Sequence, residues 1–113
     1  MNNLDIGVSI ADTSYPTVSS RAGEVTLKFN SSVGKPICLV FNQVPAFRWQ
    51  EGELPLVDGE RWDGCCELFG TQLILSHPEG STLNCGEVLR HLKFNFNAWG
   101  YFEILCSSFE IHA

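Results

Sequence analysis

No apolar run in this chain approaches the roughly 20 residues that a membrane-spanning helix needs. Met1 to Ile10 also lack the basic start and long apolar stretch of a secretory leader. Both absences lead to the expectation of a cytoplasmic protein with no membrane partner. The glycine patterns that cradle nucleotide phosphates, GxGxxG and GxxxxGK followed by Ser or Thr, do not occur, so nucleotide-dependent enzymes of those classes are unsupported and no cofactor is expected. Basic residues are scarce: 7 Lys and Arg stand against 13 Asp and Glu, a formal net charge of −6. Such a chain repels phosphate backbones, so nucleic acid is not an expected partner. A basic protein partner is compatible with that charge.

The 5 cysteines, Cys38, Cys65, Cys66, Cys85 and Cys106, are an odd count that intramolecular disulfides alone cannot absorb. Reduced thiols fit a cytoplasmic setting. Cys38 and Cys106 lie inside apolar runs and read as small core residues. The 113 residues make one domain, 1–113, large enough to bury roughly two-thirds of its unfolded surface. Hydrophobic residues at 44% against charged residues at 18% argue for a packed core rather than disorder.

Periodicity along the chain is that of strands. Leu4, Ile6, Val8 and Ile10 alternate with polar or small residues and predict a half-buried strand, weakened by Gly7. Residues 11–23 have loop composition. Val25, Leu27 and Phe29 alternate; Asn30 to Gly34 form a turn; and Ile37-Cys38-Leu39-Val40-Phe41 reads as a central strand covered on both faces, pairing with its predecessor as a hairpin. After Val44-Pro45, residues 46–50 suit an edge strand. Residues 51–67 read as an exposed acidic loop around an apolar island from Leu54 to Val57. Leu68-Phe69 and Leu73-Ile74-Leu75 suggest one kinked strand or two short ones, followed by a turn at His77 to Gly80. Asn84 and Glu87 resemble a capping box and admit a short helix from about Cys85 to Arg90, which Gly86 opposes.

The clearest segment is C-terminal. Leu92, Phe94 and Phe96 point one way and Lys93 and Asn95 the other; Asn97 to Gly100 turns; Phe102, Ile104 and Cys106 repeat the alternation. The apolar phase then shifts by one to Phe109 and Ile111, which predicts a β-bulge. Six to eight strands follow, in a mainly β fold: a β-sandwich or a small antiparallel barrel with at most one short helix. The alternative is α+β, one antiparallel sheet with a short helix packed on it.

Four constellations are candidates for function. Cys65, Cys66, His77, Cys85 and His91 could ligate a metal, but adjacent cysteines on a strand point to opposite faces and match no zinc spacing. A nucleophilic Cys85 with His91 lacks the positive surroundings that activate a thiol. The carboxylates Glu51, Glu53, Asp58 and Glu60 match no EF-hand pattern and read as a solvated loop. The fourth is an interaction surface, because Trp, Tyr and Arg are enriched at binding hot spots. Its candidates are Glu53, Asp58, Glu60, Trp62 and Asp63 of the acidic stretch with Trp99 and Tyr101 of the C-terminal hairpin. Arg48, Trp49 and Arg61 are of the same residue types, with Trp49 more readily structural.

In size, acidity and β-rich pattern, with a terminal hairpin from Leu92 to Ile111, the chain broadly resembles the small acidic immunity proteins of bacterial polymorphic-toxin systems. The resemblance assigns no residue a role. It accords with the leading expectation, a non-enzymatic binding protein that captures a basic partner. Two rivals stand beside it. A small-molecule-binding barrel or an unfamiliar small enzyme requires a cavity lined by Phe41, Phe94, Phe96 and Phe102. A structural homo-oligomer requires an open sheet edge, for which the C-terminal hairpin is the favoured place.

Overall fold

A computed structural model describes residues 2–52, 56, 59–69 and 89–112. The described residues contain nine strands: β1 (Asn2–Leu4), β2 (Thr17–Arg21), β3 (Glu24–Asn30), β4 (Pro36–Asn42), β5 (Ala46–Glu51), β6 (Cys65–Leu68), β7 (Arg90–Phe96), β8 (Gly100–Cys106) and β9 (Ser108–His112). They form two antiparallel sheets, one of five strands in the order β1-β6-β7-β8-β5 and one of four in the order β2-β3-β4-β9. Neither sheet closes on itself, so the fold is a β-sandwich rather than a barrel, and the described residues contain no helix.

Alternation explains the layering. Val25, Leu27 and Phe29 on β3 and Ile37, Leu39 and Phe41 on β4 point inward from one sheet. Leu92, Phe94 and Phe96 on β7 with Phe102 and Ile104 on β8 point inward from the other. The aromatic rings meet across the gap: Phe41 lies 5.7 Å from Phe94 and 5.9 Å from Phe102, and Phe29 lies 5.3 Å from Phe96. Each such ring contributes roughly 1.5–3 kcal/mol by leaving water. The four phenylalanines that a ligand-binding barrel would arrange around a cavity therefore fill the core, Phe41, Phe94 and Phe102 against one another and Phe96 against Phe29, each with no measurable exposure.

Several sequence expectations need correction. The strand predicted over 4–10 ends at Leu4, because Gly7 adopts a φ of +83° and its N–H is held by the Asp5 carboxylate at 2.8 Å. Ile6 and Ile10 are buried without a ladder. The loop expected over 11–23 contains β2, a polar edge strand whose only large apolar residue is Val18. Its turn into β3 has just two residues, Ala22 and Gly23, at φ of 50° and 82°. That is the geometry of a type I′ hairpin, whose twist matches that of the strands. The acidic loop stops at Gly64, and Cys65 to Leu68 form β6. Arg90 starts β7, so the helix expected from Cys85 cannot extend to it; the remainder of that segment, with His77 and Cys85, lies outside the described residues.

Two further corrections concern β4 and β9. β4 is central but covered on one face only: Cys38 and Val40 are half-buried on the outside, and Cys38 is not a core residue. The phase shift after Cys106 marks a change of sheet rather than a bulge. At Ser107 the chain leaves the five-stranded sheet, and β9 pairs with β4 of the opposite one, Leu39 opposite Ile111 and Phe41 opposite Phe109. A strand that crosses to the facing layer must reverse its phase to keep apolar side chains inward. The β3–β4 hairpin, the edge strand at 46–51 and the β7–β8 hairpin agree with expectation.

Candidate interaction site

The outer face of the five-stranded sheet carries most of the buried charge. His91, Lys93 and Asn95 on β7 and Tyr101 and Glu103 on β8 point away from the core, yet all are buried. Part of their cover is the loop at 59–64, held by Asn95, whose N–H donates to the Gly64 carbonyl at 2.9 Å and whose amide donates to the Arg61 carbonyl at 2.8 Å. Glu60, expected on an exposed loop, turns inward and meets Lys93 at 2.7 Å, with side-chain exposures of 2% and 5%. Glu103 meets Arg48 at 2.6 Å and His91 at 3.5 Å. Bonding to His91, then to Arg48, holds the Glu103 carboxyl below its ordinary range against the opposing effect of burial. Tyr101 lies between two cations, its ring 4.9 Å from Lys93 Nζ and 5.6 Å from the Arg48 guanidinium carbon. Opposite charges thus meet one another within the layer, the arrangement of a structural network.

The thiols follow the same faces. Cys65 packs against the core and Cys66, its neighbour, points outward beside Lys93, so the adjacent pair is divided between the two sides of β6. Burial pushes the thiols of Cys65 and Cys106 up to about 12 and that of Cys66 to about 11. A thiol held protonated is a poor nucleophile and a poor metal ligand. Among the described residues no three His, Cys, Asp or Glu side chains gather into a metal site.

Three aromatics, Tyr15, Trp99 and Trp49, gather at one end of the sandwich. Tyr15, in the β1–β2 connection, packs edge-to-face against Trp99 at 5.3 Å and Trp49 at 5.8 Å. Tyr15 remains 45% exposed and Trp99 37%. Both are fixed by their polar atoms: the Tyr15 hydroxyl donates to Glu51, and Trp99 Nε1–H donates to the Thr13 carbonyl at 3.0 Å. The bond to Glu51, with burial second, pushes the Tyr15 hydroxyl above its usual value. Asp12 stands beside them in a left-handed conformation, φ 54°, locked by a reciprocal pair with Asn97: its N–H donates to Asn97 Oδ1 at 2.9 Å, and Asn97 Nδ2 donates to its carboxylate at 2.8 Å. Phe47, on the same face of β5 as Trp49 and 41% exposed, extends the strip.

No family model matches the chain, and no curated protein or solved structure matches it. The residues themselves must therefore carry any functional reading.

Of the residues singled out from sequence, Trp99, Trp49 and Glu51 belong to this end. Trp62 is 57% exposed on the 59–64 loop, and Asp63 is occupied by Arg61 at 3.2 Å. Glu60 and Tyr101 are interior. Glu53 and Asp58 lie outside the described residues. Sequence reading missed Tyr15 and Asp12 and did not join Glu51 to Trp99, because only the fold brings positions 12, 15, 51 and 99 together. Its one local signal was a tyrosine followed by proline inside an otherwise polar stretch.

Proposed function

We propose that this is a non-enzymatic binding protein, of the immunity type and acting in the cytoplasm, that captures a basic protein partner on its Tyr15–Trp99 end. The observation that carries the reading is the rigidity of two half-exposed aromatics. Hydrogen bonds to Glu51 and Thr13 fix both rings before any partner arrives. Fixed Tyr and Trp side chains make strong contacts with little further loss of freedom on binding. The carboxylates of Asp12 and Glu51 at the rim and the net charge of −6 favour a cationic counterpart. Arginine and lysine stack on aromatic faces and pair with carboxylates, and charge complementarity accelerates encounter.

The test uses an arginine-rich peptide and its glutamate counterpart, followed by tryptophan fluorescence and by association kinetics at low and high salt. The arginine peptide should bind with a salt-dependent on-rate. Tyr15→Ala and Trp99→Ala should each weaken binding by about 2 kcal/mol, the size of a hot spot. Equal binding of the glutamate peptide, or unchanged affinity in the double variant, removes the reading.

The homo-oligomer reading narrows within the C-terminal segment Leu92 to Ile111 to β9, which lies at a sheet edge. The β7–β8 hairpin has no free edge, because β6 and β5 flank it. Among the described strands, β1, β5, β2 and β9 each have a single partner, and a second copy would have to pair with one of them.

A further inference from the structure

The outer face of the four-stranded sheet holds a row that neither the core nor the aromatic end uses. Thr17 on β2 stands opposite Lys28 on β3, Lys28 opposite Cys38 on β4, and Cys38 opposite His112 on β9. Direct neighbours across antiparallel strands have side chains about 4.5–5.5 Å apart. The Cys38 thiol is thus flanked by an ammonium on one side and an imidazole on the other. Lys28 makes no ion pair among the described residues. His112 is steered by Glu110, two residues back on the same face, at 3.5 Å. Lys28, Cys38 and His112 line a groove of about 580 Å³, whose wall continues through Ser14 and Ile37 to Tyr15 of the aromatic end.

We propose that Cys38 is a modification site that undergoes thiol–disulfide exchange with a small carboxylate-bearing disulfide of the glutathione class. The Cys38 thiolate attacks one sulfur of the disulfide. The S–S bond of the reagent breaks, a new S–S bond joins Cys38 to one half, and the other half leaves as a thiolate that takes a proton from water. Cys38 is oxidised and the departing thiol is reduced, so no further oxidant is needed. Lys28 supplies the charge that holds a carboxylate of the reagent, and the groove has room for a tripeptide-sized adduct. Cys66 and Cys106 are buried, and Cys65, half-buried like Cys38, turns its side chain against the core and has no lysine beside it in the ladder; burial pushes all three thiols up. The adduct sits on the outer face and leaves the core intact.

The test exposes the native protein to oxidised glutathione, quenches with acid and reads each cysteine peptide by mass spectrometry. A neutral reagent, hydroxyethyl disulfide, is run in parallel. Cys38 should form the mixed disulfide while Cys65, Cys66 and Cys106 stay reduced. Lys28→Gln should slow reaction with oxidised glutathione about threefold more than reaction with the neutral disulfide, the size of one exposed ion pair, and added salt should erase the difference. Modification of Cys65, Cys66 or Cys106 ahead of Cys38 overturns the proposal. An equal effect of Lys28→Gln on both reagents overturns the assignment of a carboxylate-bearing ligand.

Discussion

The outward faces of the two sheets are built from similar residue types and have opposite fates. On the five-stranded sheet, Lys93, His91 and Glu103 are covered; Lys93 meets Glu60, and Glu103 meets Arg48 and His91. On the four-stranded sheet, Lys28, His112 and Glu110 stay in water. A lysine, a histidine and a glutamate therefore serve as interior connectors in one layer and as surface groups in the other. The difference lies in what covers them: the 59–64 loop folds Glu60 over β7, whereas Lys28 on β3 remains exposed. Charge on a strand says little about exposure until the neighbouring layer is known.

The largest expected break in this symmetry is at the two lysines. Lys93→Met leaves Glu60 buried without its cation and should cost about 3–5 kcal/mol in urea unfolding. Restoring neutrality with Glu60→Gln in the same chain should recover much of that loss. Lys28→Met on the open face should stay within about 0.5 kcal/mol. Equal costs at the two positions would contradict the assigned burial.

Two glycines sharpen the contrast between the sheets. A Cβ on Gly100 would lie 2.1 Å from the Gln50 carbonyl oxygen, because β8 and β5 close tightly there. Gly100→Ala should therefore destabilise by about 1–3 kcal/mol through a backbone shift. Gly23, in the β2–β3 turn, has open space around it and only a φ of +82° to satisfy. Gly23→Ala should cost about 1–2 kcal/mol, through conformation alone. Thermal melts of both variants, with chemical shifts of β5 amides, separate the two causes: β5 should move only in the first.

The thiols give a smaller comparison. Cys106→Ser places a hydroxyl in the core and should cost about 1–3 kcal/mol. Cys38→Ser on the half-open face should change stability by less than about 0.5 kcal/mol. The smallest effect concerns pH. The Glu103 carboxyl is held below its ordinary value in the folded protein, first by His91. Its contribution is fully present above the unfolded carboxylate pKa and is lost as pH falls through the lower folded value. Glu103→Gln should therefore lower stability near neutral pH and flatten the acid limb of the stability curve. An unchanged acid limb would show that the group does not titrate differently on folding.

Strands with strong alternation were legible in the sequence: β3 and β7 each place three large apolar residues inward, and β8 places Phe102, Ile104 and the smaller Cys106. β2 was not, because an edge strand needs only Val18 on its inner face and otherwise looks like a polar loop. β4 was legible as a strand but not for its exposure, since Ile37 to Phe41 is apolar on both faces and composition alone does not reveal which is covered. Glu60 was misread for a related reason. Its acidic neighbours suggested solvent, while its partner Lys93 lies far along the chain. Of the candidate binding end, Trp99, Trp49 and Glu51 were visible only as separate candidates, because Tyr15 and Asp12 and the joining of the group come from tertiary structure.

The one-residue step at Ser107 also bears on how the molecule assembles. β2, β3 and β4 are sequential and can form as a local meander, and β7 and β8 can form as a local hairpin. Neither sheet is complete without a long-range partner, and such pairings are slow to find because loop closure precedes their reward. β9, however, is tethered to β8 by a single residue and belongs to β4. Docking the hairpin over the meander therefore delivers β9 to its edge, and loss of either sheet withdraws a strand from the other. The two layers should gain and lose structure in one cooperative transition, with hydrogen exchange in β4 and β8 reporting the same opening event.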